Sequence, residues 1–262
     1  MKKQYIFLSH DVDWSYNGPS KDHILQRKDR FDEKLFRNTP IDKLYRNFSE
    51  FMEIEEKYGV KSTFFFRTQY ENGDYRDYHE DIKKLVKEGW EIGLHSDPSS
   101  IKDLEKIRKE KTNLEKLTGS KILGNRVHYL SNDEQLQKKL SELGFVYDSS
   151  KRRTKDNISD EDMGYEIIDD IIEFPVTLMD AYLFTHMNIS EEKIVPIVEK
   201  TLNFCRKLNS DFNLMTILWH DNVLKMKGGR IYPKILEFLT EQDDVVISTG
   251  IELANKIKRN QF

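Results

Sequence analysis

Residues 5–13 read Tyr5-Ile6-Phe7-Leu8-Ser9-His10-Asp11-Val12-Asp13, an apolar run of strand length that closes on two carboxylates. Short runs rich in branched and aromatic residues mark strands. Side chains in a strand alternate between faces, so Asp11 and Asp13 look to one side while His10 and Val12 look to the other. His10 therefore reads as a packed core histidine, and the paired acids as residues that serve something other than packing.

The same kind of run recurs. Candidate strands lie at 4–10, 61–67, 90–95, 122–128, 145–148, 171–177, 214–220 and 244–248, separated by longer amphipathic stretches. That alternation is the pattern of repeated β-α units around a parallel sheet, an α/β fold. Ile41, Leu44, Tyr45, Phe48 and Met52 recur at helical spacing, as do Ile194, Ile197, Val198, Leu202 and Cys205, and both stripes read as core faces of helices. Ile101 to Leu117 is similar but dominated by Lys and Glu, which predicts a solvated face. Residues 14–40 and 149–165 resist regular assignment and read as long loops, the kind that often cover a site.

Composition narrows the function. The chain has 262 residues, a length that α/β barrels reach as one unit, and no Pro/Gly/Ser-rich linker divides it, so 1–262 reads as a single domain. Forty-two Lys and Arg stand against 46 Asp and Glu, a net charge of −4, and with no basic stripe nucleic acid is not an expected partner. The only cysteine, Cys205, excludes an internal disulfide and a thiolate metal cluster and reads as a buried thiol. The run Tyr5–Leu8 is too short for a signal-peptide core, and no stretch approaches the roughly 20 apolar residues of a membrane span. A cytoplasmic protein is the expectation.

Polar, chemically capable residues stand at the carboxyl ends of different predicted strands. Asp11 and Asp13 end the first, His95 the third, Arg126 and His128 the fourth and His220 the seventh, while Asp180 follows the sixth. In barrels of parallel strands these ends converge on one mouth, where catalysis occurs.

Leu8-Ser9-His10-Asp11-Val12-Asp13 resembles the acidic first motif of the polysaccharide deacetylase, or NodB-homology, family. Lys61-Ser62-Thr63-Phe64-Phe65 resembles its second-strand signature, and Glu91-Ile92-Gly93-Leu94-His95-Ser96 its metal-binding histidine motif. Arg126-Val127-His128-Tyr129 resembles the family's Arg-x-Pro-Tyr element, Tyr147-Asp148-Ser149-Ser150 a later strand, and Leu218-Trp219-His220 the closing Leu-x-His. The resemblance spans residues 8 to 220 in family order. It implies a distorted or incomplete (β/α) barrel of about seven parallel strands with outer helices.

The resemblance also implies one divalent metal ion, usually zinc, held by an aspartate and two histidines. Carried over by position, Asp13 and His95 are ligands and Asp11 is the base that activates water. Arg126 orients Asp11, His220 protonates the leaving amine, Asp180 supports His220, and the backbone N–H of Tyr129 helps hold the oxyanion. Asp221 competes with Asp180, although adjacent strand residues face opposite ways. The departure is Ser99, which stands where the second histidine is expected. His128, in the proline's place, is the proposed substitute, with Asp97 or water as alternatives, because imidazole binds zinc far better than a hydroxyl does.

Trp14 is the better candidate for stacking on a sugar, since Trp219 faces away from the mouth if His220 faces into it. His23, His79 and His186 have no motif support and read as surface or loop residues. The activity implied is hydrolysis of the N-acetyl group of a saccharide or glycan precursor. Hydrolysis of another amide, such as a cyclic imide or ureide, uses the same chemistry, and a sugar-binding protein with a decayed metal site is a third reading.

Overall fold

Gln4–Val12 forms strand β1, and its alternation is used on both faces. Ile6, Leu8 and Val12 pack outward beneath the helices, whereas Tyr5 and Phe7 turn inward. The computed structural model describes residues 2–208 and 210–260. The strands that follow are β2 (Thr63–Phe66), β3 (Gln69–Tyr70), β4 (Gly73–Asp74), β5 (Glu91–Ser96), β6 (Gly124–Val127) and β7 (Tyr147–Asp148). The last five are β8 (Glu166–Ile168), β9 (Ile171–Glu173), β10 (Leu178–Met179), β11 (Asn213–Leu218) and β12 (Val245–Ser248).

Ten of them build one sheet in the order β10-β11-β1-β2-β5-β6-β7-β9-β8, with β12 also paired to β1. Every pairing is parallel except β8 with β9. Strands β12 and β2 share one edge of β1 end to end, through Gln4–Phe7 and Ser9–Val12, while β11 takes the other edge. The sheet curls into a half-barrel with its helices outside. Strands β3 and β4 form a separate hairpin.

Three expectations change. The candidate strand 171–177 splits, pairing as β9 and resuming only at Leu178, because Pro175 has no N–H to give a ladder. The stripe from Ile41 to Met52 is not one helix. Ile41–Lys43 is a 3₁₀ turn and the helix runs Phe48–Lys57, so Leu44 and Tyr45 join a satellite cluster with Ile24, Phe31 and Met226. Residues 14–40 are more regular than a loop, holding short helices at Lys21–Gln26 and Glu33–Asn38, each started by a side-chain cap, Ser20 and Asp32. The other stripe is borne out as helix Ile194–Cys205, with Cys205 buried.

Inside the curl, Phe7, Phe65, Tyr147 and Phe174 meet edge to face or tilted and fill the space beneath the mouth. Gly124 is required there, since a β-carbon on it would overlap the Tyr147 ring. At the opposite end from the mouth, Glu91 accepts from Thr63 Oγ1 at 2.6 Å, Tyr147 Oη at 2.9 Å and the N–H of Ile251 at 3.0 Å. Burial outweighs these donors and pushes its carboxyl up to about 7.

A carboxyl raised on folding contributes stability in full below its unfolded value and loses it as pH rises through the folded one. The window is therefore about 4.5 to about 7. Glu91→Gln is expected to remove that slope, a change on the order of 2 kcal/mol after allowance for partial exposure. Urea unfolding of both proteins at pH 5 and pH 8 checks it, and parallel slopes would contradict it.

Candidate metal and catalytic site

The mouth is built from strand ends. Asp13 follows β1, His95 is the penultimate residue of β5, and His128 opens the 3₁₀ turn His128–Leu130 after β6. His128 thus reaches the mouth through a turn, not by continuing the strand alternation with Arg126. Its Nδ1 lies 3.2 Å from Asp13 Oδ1 and 3.1 Å from His95 Nε2, and His95 Nε2 lies 3.2 Å from Asp13 Oδ1. Each of the three offers a ligand atom to one point.

This arrangement fits a divalent ion. Ligands at ~2.0–2.1 Å from a tetrahedral ion sit ~3.3 Å apart, close to what these side chains adopt. His95 Nδ1 donates to the C=O of Arg126 at 2.8 Å, which leaves the Nε2 lone pair facing Asp13. Burial works to raise the Asp13 carboxyl, but His220 beside it and the adjacent His128 and His95 imidazoles hold it well below the usual carboxylate range.

Asp11 stands apart from this trio in its partners. Its Oδ1 accepts from Arg126 Nη1 at 2.9 Å, and its Oδ2 lies 3.6 Å from His95 Nε2. Arg126 is wholly buried and fully engaged, donating also to Ser9 Oγ, the C=O of Ser149 and Ser149 Oγ at 2.8–2.9 Å. Burial would raise Asp11, but the guanidinium, with His95 and His220 behind it, keeps the carboxyl below its ordinary value.

On the other flank His220 Nδ1 meets Asp180 Oδ1 at 2.6 Å, its backbone N–H donates to Asp180 Oδ2 at 2.8 Å, and its Nε2 faces Asp13 Oδ2 at 3.5 Å. Burial disfavours the imidazolium, yet Asp180 and then Asp13 outweigh it and push His220 up to about 10. Asp180, not Asp221, is the partner of His220. Asp221 is buried with Oδ1 unpaired among the described residues, and burial, then Asp13, raises its carboxyl well above the ordinary value.

Other expectations find their places. Asp97 stands outside the trio, accepting from Arg67 Nη2 and the Ser99 N–H at 3.2 and 2.8 Å, and Ser99 is exposed in a neighbouring cleft. Tyr129 has left-handed backbone, φ 61°, with its ring exposed and tilted over His128. Trp14 is half-buried edge-on against His23 and Tyr45, so packing engages its ring. Trp219 faces outward into the core, as alternation requires.

His10 is wholly buried on the outer face, where Nε2 meets Glu55 at 2.7 Å and Nδ1 the C=O of Trp219 at 2.5 Å. Sequence reasoning missed Arg67, which donates to the C=O of Asp13 at 3.4 Å, and also Phe184 and Asn222, which line a cavity beside His220. Arg67 follows Phe66 directly, so its place at a strand end was the available signal.

Residues 40–147 match the polysaccharide deacetylase family profile. Over that stretch, which is less than half of its length, the chain is similar to the polysaccharide deacetylase family. No curated protein matches its sequence. Among solved structures, a Mycobacterium smegmatis protein assigned as a polysaccharide deacetylase superposes with TM-score 0.71 at 18% identity, covering 100% of this chain and 92% of that one. The Puue allantoinase follows at TM-score 0.67 and 15% identity, with 99% and 92% covered. A mutant of BA3943, a CE4 pseudoenzyme with restored activity, gives 0.56 at 13%, with 97% and 68% covered. At these identities the likenesses establish the half-barrel fold. Asp13, His95 and His128 are placed to hold a metal ion, and no helix of the described residues is long and apolar enough to cross a membrane.

Proposed function

We propose that the chain hydrolyses the N-acetyl group of a saccharide or glycan precursor, with a divalent metal ion, zinc by ligand chemistry, held by Asp13, His95 and His128. The observation that carries the reading is the separation of roles between two neighbouring acids. Asp13 lies between two imidazoles, while Asp11 is locked to Arg126 and kept ionised. A carboxylate and two neutral imidazoles suit zinc, which supplies Lewis acidity to a water and to the amide carbonyl when bound.

The side chains do the rest. Asp11 accepts the proton of the attacking water, since Arg126 preserves its charge without taking up Oδ2. The backbone N–H of Tyr129, on the left-handed turn beside His128, faces the developing oxyanion. His220 gives a proton to the amine nitrogen as the C–N bond breaks, and Asp180 keeps that proton in place beforehand and fixes the ring. His220 faces Asp13 Oδ2 at 3.5 Å while Asp11 Oδ2 lies beside His95 at 3.6 Å, so the acid and the base are separate groups held by different neighbours.

Acetate release from N-acetylated monosaccharides and oligosaccharides is the test, run with zinc and after chelation. The expected result is acetate that disappears on chelation and returns with zinc. Ring opening of a ureide such as allantoin, with no acetate from any N-acetylated sugar, would overturn the reading in favour of the other amide chemistry.

A further inference from the structure

Beside His220 opens a cavity of about 360 Å³ whose lining includes Phe184, Asn222, Asp29, Arg30 and Lys227. The hydrolytic groups described above do not account for its walls. Asn222 lies on the cavity wall, where its side-chain amide makes no hydrogen bond to another described residue and opens toward the cavity. An amide on such a wall can both give and accept a hydrogen bond with a ligand hydroxyl. Phe184, half-buried against Trp219 and Gly228, adds aromatic surface to one wall of the cavity, against which the apolar side of a pyranose can pack.

The rim carries fixed positive charge. Arg30 comes from the segment after β1 and Lys227 from the segment after β11, and backbone pairing staples the two together. The Lys227 N–H donates to the C=O of Arg30 at 2.7 Å, and Phe31 bridges Met226 beside it. The Arg30 guanidinium has no acidic partner among the described residues, and Lys227 Nζ gives one hydrogen to the C=O of Asp29 at 3.0 Å. His23 nearby registers the field, its imidazolium disfavoured first by burial and then by Arg27 and Arg30. The carboxylate of Asp29 is the one acid in the cavity lining, so Arg30 and Lys227 leave an excess of positive charge there.

Resting on the reading of His220 as the group at which the sugar amine leaves, we propose that the saccharide carries a phosphoryl group bound by Arg30 and Lys227. Its ring lies along Phe184 and a hydroxyl meets Asn222. Two cations of different shape, a planar fork and a point charge, match a dianionic phosphoryl better than a single carboxylate.

Isothermal titration of the zinc-loaded protein compares N-acetylglucosamine, its 1-phosphate and 6-phosphate, and N-acetylglucosaminuronic acid at low salt. At least one phosphate is expected to bind tenfold or more tighter than the neutral sugar, with the advantage shrinking as salt rises. The double variant Arg30→Ala/Lys227→Ala is expected to lose that advantage while its affinity for the neutral sugar stays unchanged. Both side chains sit on exposed positions, so the fold tolerates the change. Equal affinities for all sugars, an advantage that survives in the double variant, or a uronate as tight as the phosphates would each overturn the proposal. Acetate read in the same samples separates the two readings. Phosphate-dependent binding without acetate keeps this inference and sinks the hydrolysis, and acetate formed with no phosphate preference does the reverse.

Discussion

Asp13→Ala or His95→Ala is expected to leave the protein without its divalent ion, and without turnover, where the wild type holds about one ion per chain. The three candidate ligand atoms lie 3.1–3.2 Å from one another, and removing any one leaves a pair. Changing only an outer hydrogen-bond partner of a metal ligand costs ~10–100-fold in affinity or activity, so loss of a direct ligand costs more. Asp13→Ala also removes the charge that balances His220 and the ion together. Elemental analysis of protein purified without chelator reads the result. Unchanged metal in both variants would dismantle the site.

Asp11→Asn is expected to separate binding from chemistry. The amide keeps the shape of the carboxylate and leaves Asp13, His95 and His128 in place, so metal content should match the wild type. Turnover should fall by ~10²–10⁴, the usual contribution of a general base, because an amide cannot take the water's proton. The substitution also leaves the wholly buried Arg126 without its counter-charge, which in buried pairs costs ~3–5 kcal/mol. A melting curve beside the kinetics therefore checks that the variant is folded. Wild-type turnover in folded Asp11→Asn would remove Asp11 from the mechanism. His220→Ala should show the same split, with metal kept and turnover lost.

Much of this site was legible because strand alternation is a strict rule. Asp11 and Asp13 on one face with His10 on the other, and His220 inward with Trp219 outward, follow from period two alone. Asp180 could be preferred to Asp221 for the same reason. What periodicity could not give was anything placed by a turn or by distant packing. His128 arrives on a 3₁₀ turn, so its nearness to His95 came from a different geometry than the alternation that pointed to it. The helical spacing across Ile41–Met52 hid a 3₁₀ turn and a change of cluster, because apolar residues can keep their spacing while facing two different cores. Trp14 illustrates the same limit, since its neighbours His23 and Tyr45 come from later segments than the strand end it follows. The cavity beside His220 joins segments nearly two hundred positions apart, which no local pattern records.

The central claim is that His128 replaces the histidine missing at Ser99, and a zinc-loaded crystal structure with anomalous data at the zinc edge tests it most directly. The expected result is one ion bonded to Asp13, His95 Nε2 and His128 Nδ1, each at ~2.0–2.1 Å, with Ser99 and Asp97 outside bonding distance. An ion that binds Asp13 and His95 while the His128 imidazole stands well beyond that distance, or that draws in Ser99 or Asp97, would contradict it.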